Sequence, residues 1–176
     1  MVQAFTILRK KYLWSAELYL AGAKESDIRD ALRERQIRVE EVDWQKIHLL
    51  GDLGSEKLTD YYNLCDVFCM PSYFEAYGLV FAEALTYGLP CIGRDKFAMS
   101  EFIEDGCTGR LISGEDAEEP ALDLWEVLQD PKYREEVERR REWYLREYSW
   151  DKVAQRICSV MEKNERDKDQ YRSAGV

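Results

Sequence analysis

The chain has 176 residues, 45% hydrophobic and 34% charged, a composition typical of one globular domain with its own core. Its formal net charge of −10 argues against a nucleic-acid-binding protein, which needs a basic surface to neutralise phosphates. No apolar run approaches the roughly 20 residues of a membrane span, and the start lacks the pattern of a signal peptide. We therefore expect a cytoplasmic protein that does not cross a membrane.

The cysteine and histidine content bears on disulfides, metal sites and histidine-based catalysis. Five cysteines form no Cys-x-x-Cys pair, and His48 is the only histidine. Because most of the cysteines have apolar neighbours, they are typical of small buried side chains in a reducing compartment rather than of disulfides. A histidine-based triad and a histidine-rich metal site are therefore poorly supported.

Short apolar strands alternate with helices up to Gly114. The predicted strands cover residues 16–22, 46–51, 66–72, 90–93 and 109–112. The predicted helices cover residues 1–14, 26–35, 58–65, 78–87 and 100–104, with Ser26 as the expected cap of the second. This alternation predicts an α/β fold with a Rossmann-like parallel sheet covered by helices on both faces. Ligands of such sheets bind beyond the carboxyl ends of the strands.

The rest of the chain is predicted to be helical. One helix covers 121–129, a second follows the cap Asp130–Pro131, and Ser149 is the expected cap of a last helix. The apolar stripe of the last helix predicts a docking face for another domain or for a second copy of the chain. Residues 164–176 are polar, and we expect a disordered tail behind a single domain of residues 1–163.

One segment carries the candidate chemistry. Glu75 lies in a loop at the carboxyl end of a buried strand, and Glu83 lies one turn inside the following apolar helix. Because helical side chains lean toward the N-terminus, the two carboxylates can flank one crevice. Between them, the free amides of Gly78, Leu79 and Val80 point out of the helix end, where the helix dipole favours an anion.

This arrangement suits a ligand that carries phosphate between two hydroxyl-rich groups. Carboxylates accept hydrogen bonds from sugar hydroxyls, and helix amides can hold a diphosphate. An acid/base pair for glycoside hydrolysis is an alternative, less natural because a phosphate-binding helix end lies between the carboxylates. A further interpretation makes Glu75 a solvated loop residue and Glu83 a surface helix residue.

The segment from Pro71 to Pro90 resembles the Glu-x7-Glu signature of the retaining GT-B glycosyltransferases of family 4, which carry the glycosyl transferases group 1 domain. Three further stretches, 61–72, 100–112 and 148–154, are similar to that family, and the resemblance covers about residues 16–162. It implies the C-terminal half of a GT-B fold. It also implies transfer of a hexose, with retention and without a metal or other cofactor, from a nucleotide-diphosphate sugar to an acceptor.

The resemblance also implies roles for individual residues. The donor-binding set in the signature is Glu75, Ala76, Tyr77, Gly78, Leu79, Val80 and Glu83. Glu75 is the candidate catalytic residue and would contact the donor sugar, whereas Glu83 would contact the ribose. The amides of the helix end would hold the distal phosphate. Gly51 to Leu53, after the second strand, would line the base pocket.

The sequence departs from the family pattern at its start. The family domain begins with a strand, a glycine-arginine turn and a nearby lysine, whose cations grip the diphosphate, whereas this chain begins within the following helix. We therefore expect a fragment that lacks the acceptor-binding domain, binds donor weakly and transfers no sugar alone. Any peripheral membrane contact would be made through the missing half. Arg9, Lys10 and Lys11 are expected to be solvated, and Arg94 and Lys96 are better substitutes for the cations.

Two other functions stay open. One is a binding or scaffolding domain that kept the fold and lost the chemistry, which the acidic surface and the absent cations would suit. The other is an enzyme of similar architecture that processes nucleotide sugars without transferring them, such as an epimerase. The stretch 93–99 replaces the family's glycine-rich loop near the donor sugar, so the pattern assigns neither the nucleotide nor the sugar.

Overall fold

A computed structural model describes the backbone of residues 1–173 and the side chains of residues 1–163. The helices in this part are α1 Val2–Lys11, α2 Glu25–Glu34, α3 Ser55–Leu64, α4 Leu79–Thr86, α5 Met99–Phe102, α6 Glu118–Gln129, α7 Lys132–Glu147 and α8 Trp150–Ser173. The strands are β1 Leu18–Ala21, β2 Ile47–Gly51, β3 Phe68–Cys69, β4 Cys91–Arg94 and β5 Gly109–Ile112. Two 3-10 turns, Val39–Glu41 and Trp44–Lys46, precede β2.

The strands pair in parallel, with helices in the connections, which confirms the predicted α/β class. β1 pairs with β2, and Leu18 lies beside Ile47. β4 lies between β3 and β5, with Cys91 beside both Phe68 and Gly109. The sequence predicts one sheet, whereas the described strands form a two-stranded and a three-stranded sheet.

The centre of the three-stranded sheet is tightly packed. All four residues of β4 are buried, whereas those of β1 are half-buried or exposed. A Cβ atom at Gly109 would lie 1.7 Å from the backbone oxygen of Cys91, so only glycine allows β4 and β5 to approach this closely. The site described below lies beside this buried sheet.

The apolar side chains form two clusters, one on each side of this sheet region. The first joins α1 and α6 to the strands and includes Phe5, Leu8, Ile92, Ile112 and Leu124. The second surrounds α4 and includes Phe81, Leu85, Met99, Val137 and Tyr144. α7 contributes buried residues to both clusters, Tyr133 to the first and Val137 and Tyr144 to the second.

Two capping predictions have opposite outcomes. The Ser149 hydroxyl accepts a hydrogen bond from the Lys152 amide at 3.2 Å, so this residue caps α8 as predicted. The prediction for Ser26 is wrong. α2 begins at Glu25, and the Ser26 hydroxyl instead donates to Oδ1 of Asp27 at 3.0 Å.

The apolar run 66–72 predicts a longer strand than the structure contains. Only Phe68 and Cys69 are assigned to β3, and they pair with β4. Beyond them, Pro71 has no amide hydrogen to donate, and the Ser72 amide bonds to the Met70 oxygen at 2.9 Å within the loop. The chain therefore turns early, and a longer loop leads into α4.

α8 continues past the predicted domain end at residue 163 as far as Ser173. Its described side chains include four exposed apolar residues, Trp150, Ile157, Val160 and Met161. Among the described residues, no helix is both long and apolar enough to cross a membrane. Residues 174–176, and all side chains from residue 164, lie outside the described part, so the disordered tail stays a prediction.

Candidate functional site

The start of α4 is shaped by a glycine. Gly78 is buried and has φ +83° and ψ 46°, a left-handed conformation that side chains other than glycine rarely adopt. A Cβ atom here would lie 3.0 Å from Cδ2 of Phe81 and 3.2 Å from Cγ of Glu75. The backbone therefore enters α4 in a turn that leaves the helix end free of side-chain bulk.

The first two backbone amides of α4 are not hydrogen-bonded within the described part of the chain. No side chain caps the helix, and its first turn contains no acidic residue. The Phe81 amide donates to the Gly78 oxygen at 2.9 Å, but the amides of Leu79 and Val80 have no hydrogen-bond acceptor among the described residues. Two free N–H groups and the positive end of the helix dipole can together bind an anion.

Glu75 lies beside this helix end. It is half-buried in the loop between β3 and α4, and its Cγ packs near Gly78. In the part of the chain that has described side chains, Glu75 forms no hydrogen bond and no ion pair, although many other carboxylates are paired. Its oxygens are therefore available to accept hydrogen bonds from a ligand.

Glu83 lies on the exposed face of α4, one turn from its start. Its Oε2 accepts a hydrogen bond from the Tyr62 hydroxyl of α3 at 3.2 Å. Burial, followed by the charge of Glu83, raises the pKa of Tyr62 well above its ordinary value, so this hydroxyl stays a donor at neutral pH. Tyr62 is in turn stacked on Tyr87 with ring centroids 5.2 Å apart, which holds the Glu83 carboxylate in place.

The remaining residues predicted to bind the donor are Ala76, Tyr77, Gly51 and Leu53. Tyr77 is exposed, and its ring packs edge-on against Phe102 at a centroid distance of 5.1 Å. Ala76 is exposed beside it. Gly51 ends β2 and accepts a hydrogen bond from Gly22 at 2.7 Å, and Leu53 is half-buried in the turn that follows.

No hydrogen bond, ion pair or ring contact of the described residues joins Gly51 or Leu53 to the loop 75–83. The structure therefore brings Glu75, Gly78 and the first amides of α4 together. The base-pocket role of Gly51 and Leu53 stays a prediction.

The cations of α1 are held by acidic neighbours. Their nitrogen–oxygen distances are 2.9 Å for Arg9–Asp43, 3.0 Å for Lys10–Glu41 and 2.7 Å for Lys11–Glu118. These pairs join α1 to the segment before β2 and to α6. Lys10 and Lys11 are about half exposed, as expected, whereas the side chain of Arg9 is only 13% exposed and also donates to the Ala16 oxygen. All three cations are engaged in ion pairs and are poor candidates for holding a ligand phosphate.

Arg94 occupies a position that the sequence does not predict. It is the last residue of β4, rather than a loop residue, and only 5% of it is exposed. Its Nε donates to the Pro71 oxygen at 3.2 Å, and its Nη1 donates to the Gly114 oxygen at 2.6 Å. The guanidinium thus ties together the loops at the carboxyl ends of β3, β4 and β5. Lys96 is exposed in the loop that follows.

The thiols are not arranged for metal binding. All five cysteines are free. Burial raises the pKa of the Cys69 thiol to about 12 and the pKa of Cys91 well above its ordinary value, so both are protonated at neutral pH. Among the described residues, no group of three or more His, Cys, Asp or Glu side chains is placed to hold a metal ion.

Curated relatives match part of the chain. The D-inositol 3-phosphate glycosyltransferase of Kribbella flavida is 32% identical over 98 residues, which cover 56% of this chain and 23% of that protein. An uncharacterised 41.2 kDa protein in the cps region of Klebsiella pneumoniae is 37% identical over 78 residues, which cover 44% and 22% of the two proteins. The chain thus spans about a quarter of the length of these relatives.

Solved structures match the fold. The pneumococcal O-GlcNAc transferase GtfA, in complex with UDP and GlcNAc, has a TM-score of 0.68 at 24% identity, covering 91% of this chain and 32% of that one. The sucrose-phosphate synthase of Thermosynechococcus elongatus has a TM-score of 0.71 at 20% identity, covering 94% and 42%. At these identities the likeness establishes the fold, which is that of GT-B glycosyltransferases.

The family assignment rests on a match that spans most of the chain. The model of the family described as "Glycosyl transferases group 1" matches residues 1–144, which include the loop with Glu75, all of α4 and the buried Arg94. The chain therefore belongs to the glycosyl transferases group 1 family.

Proposed function

We propose that this chain is the donor-binding part of a retaining, metal-independent glycosyltransferase of family 4. The observation that carries the proposal is the open N-terminal end of α4, which lies between two carboxylates without ion pairs, Glu75 and Glu83. A nucleotide-diphosphate sugar has the matching order of groups, because its phosphates separate two hydroxyl-rich rings. The O-GlcNAc transferase with the related fold was solved with UDP and GlcNAc, which supports this ligand class.

Each group of the donor has a partner in the proposed complex. The amides of Leu79 and Val80 hold the distal phosphate, with Gly78 leaving room for its approach. Glu75 accepts hydrogen bonds from the sugar hydroxyls. Glu83, oriented by Tyr62, accepts them from the ribose.

The same groups assist the reaction. Transfer breaks the bond between the sugar C1 and the diphosphate oxygen, forms a bond from C1 to an acceptor oxygen, and releases the acceptor proton. Negative charge therefore grows on the diphosphate as it leaves. The N-terminal end of α4 is already oriented toward that charge and needs no reorganisation to stabilise it.

The proposed role is limited to donor binding because the chain spans about a quarter of the length of its relatives. We expect the purified chain to bind donor weakly and to transfer no sugar, since the acceptor must be held by residues that this chain does not supply. Detectable transfer to any acceptor by the purified chain would contradict this part of the proposal.

The donor site is tested by calorimetric titration of UDP-, GDP- and ADP-sugars into the wild-type chain, Glu75→Ala and Glu83→Ala. Loss of a charge-assisted hydrogen bond is expected to weaken binding about tenfold or more in each variant. Glu142→Ala, which removes an exposed carboxylate from α7, is the matched control and should bind as the wild type does. Unchanged binding in both site variants would remove the assignment.

A further inference from the structure

Arg94 is a buried cation that has no anionic partner. It is 5% exposed, and within the described residues it forms no ion pair. Among the side chains that the structure describes, the other buried polar ones are Thr108, which is neutral, and Asp123, which pairs with Arg110 at 3.2 Å. A buried charge is ordinarily paired, because its removal from water costs several kcal/mol. An unpaired buried guanidinium is unexpected in a chain whose net charge is −10.

The guanidinium of Arg94 is fixed on three sides. Two of its nitrogens donate to the carbonyl oxygens of Pro71 and Gly114. Its Cζ lies 4.0 Å from the ring centroid of Tyr73. The carbonyl and ring contacts orient the group but leave its full positive charge uncompensated. Its position is therefore defined before any ligand arrives.

One edge of the guanidinium is still open. Nη2 of Arg94 takes part in no hydrogen bond of the described residues. No buried side-chain nitrogen or oxygen in this part of the chain lacks a partner, so Nη2 must retain contact with solvent. A fixed guanidinium with accessible N–H groups is the geometry with which arginine binds phosphate oxygens.

The same loop connects this cation to the site at α4. Tyr73 and Phe74 directly precede Glu75, and Phe74 packs edge-on against Phe97, in the loop after Arg94, at a centroid distance of 5.5 Å. A second cation, Arg35 at the end of α2, has its Cζ 5.6 Å from the centroid of the Tyr73 ring and forms no ion pair with a described residue. Two arginines thus meet at one tyrosine beneath the loop that carries Glu75.

We propose that Arg94 binds a phosphate group of the donor diphosphate, with Arg35 as a weaker second cation. This proposal rests on the proposed function and adds the positive charge that the amides of α4 alone do not provide. The phosphate accepts hydrogen bonds from the free Nη2 edge and neutralises the buried charge. Arg94 therefore has two roles, since it joins three loops and completes the anion site.

The test uses the whole chain with three probes: inorganic pyrophosphate, UDP and uridine. In calorimetry, Arg94→Gln is expected to weaken pyrophosphate and UDP at least about tenfold and to leave any uridine binding unchanged. Arg94→Lys, which keeps the charge, should lose less affinity. Arg110→Gln is the matched control, because it removes an arginine from the neighbouring strand whose charge is already paired with Asp123. It should bind pyrophosphate as the wild type does.

Arg35→Gln keeps the inference testable if Arg94→Gln does not fold, because Arg35 is exposed and its removal leaves the loop contacts intact. We expect it to weaken pyrophosphate binding a few-fold. The inference is overturned if pyrophosphate does not bind the wild-type chain, or if a folded Arg94→Gln variant binds it with wild-type affinity.

The two proposals fail in different ways. Pyrophosphate binding that depends on Arg94, without any binding of nucleotide sugars, would support the anion site and reject the donor-binding function. Nucleotide-sugar binding that depends on Glu75 but is unchanged in Arg94→Gln would keep the function and reject the anion site.

Discussion

Charged side chains form ion pairs in one region of this molecule and lack them in another. Beside α6 and α7 they are paired: Arg110 contacts Asp123, and Arg140 lies between Glu104 and Glu136. At the carboxyl ends of β3 and β4, Glu75 and Arg94 have no partner of opposite charge among the described residues. Arg94 and Arg110 lie on neighbouring strands of one sheet, β4 and β5, yet only Arg110 has an acidic partner.

We interpret the contrast as a difference in role: the paired charges stabilise the fold, and the unpaired charges belong to the proposed ligand site. An ion pair contributes to the fold without any ligand, whereas an unpaired charge near a buried sheet is unfavourable until a ligand neutralises it. Departures from local consistency of this kind are expected at functional sites. Substitutions that remove a charge should therefore change different properties in the two regions, ligand binding in one and folding stability in the other.

The largest effect is expected at Gly78. Gly78→Ala forces a side chain into a backbone of φ +83° and against Phe81 and Glu75, so we expect a loss of about 3 kcal/mol in unfolding free energy. Donor binding should fall by at least about tenfold, because the helix end would shift. Urea denaturation and donor titration measure the two effects.

Gly106→Ala is the control for Gly78→Ala. Gly106 has φ +73°, but an added Cβ atom meets nothing within 4 Å. The expected cost is therefore the backbone strain alone, about 1 kcal/mol, with donor binding unchanged. Equal effects of the two substitutions on binding would contradict the special role of the α4 start.

The paired region is tested by removal of Arg110. Because the side chain of Asp123 is only 6% exposed, Arg110→Gln leaves a buried carboxylate without its cation. We expect a loss of about 2 kcal/mol at neutral pH, reduced from the value for a fully buried pair because Arg110 is partly solvated. Denaturation of Asp123→Asn, which removes the charge but keeps an acceptor, should show a smaller loss.

The pH dependence of the stability loss in Arg110→Gln is a second test of the Arg110–Asp123 pair. Burial raises the pKa of Asp123 above its ordinary value even with Arg110 present, and loss of the cation should raise it further. The cost of the substitution is then present above that raised pKa and disappears as the pH falls below the ordinary aspartate value of about 3.9. A loss independent of pH would exclude the electrostatic explanation.

A smaller effect is expected from Tyr62→Phe. The substitution removes the hydrogen bond to Glu83 and keeps the ring that stacks on Tyr87. Stability should fall by about 1 kcal/mol or less, and donor affinity a few-fold, less than in Glu83→Ala. If Tyr62→Phe weakens the donor as strongly as Glu83→Ala, Tyr62 itself contacts the ligand.

The smallest effect concerns Glu17, which joins β1 to β2. Hydrogen bonds from Lys46 at 2.7 Å and His48 at 3.0 Å lower the pKa of Glu17 from an ordinary 4.5 to about 2. The folded pKa is the lower one, so the stabilisation is complete above pH 4.5 and is lost as the pH falls toward 2. Carboxyl NMR titration of the folded chain measures this pKa, and a midpoint near the ordinary value would contradict the contacts.

Local patterns in the sequence predict much of this fold. The apolar run 109–112 is β5 without change, and the loop–helix pattern correctly places Glu75 in the loop before α4 and Glu83 within α4. These features depend on neighbours in the chain. At Ser26 the local pattern is not sufficient, because a capping residue type followed by a helical pattern does not fix the helix start within one residue.

Arg94 could not be placed from the sequence because its burial depends on distant residues. An arginine after an apolar run, followed by Asp95 and Lys96, has the pattern of a solvated loop. Its partners are Pro71, 23 residues earlier in the chain, and Gly114, 20 residues later. Each contributes only a carbonyl oxygen. No residue-type pattern signals such contacts.

The most direct test of the donor site is an NMR titration of the wild-type chain with UDP, followed through its amide chemical shifts. The account predicts saturable shifts at the amides of Gly78, Leu79 and Val80, which the open end of α4 presents to the diphosphate. Amides of β5 near the paired Arg110 should stay unchanged. Saturable shifts confined to other parts of the chain, with the start of α4 unaffected, would contradict the central claim.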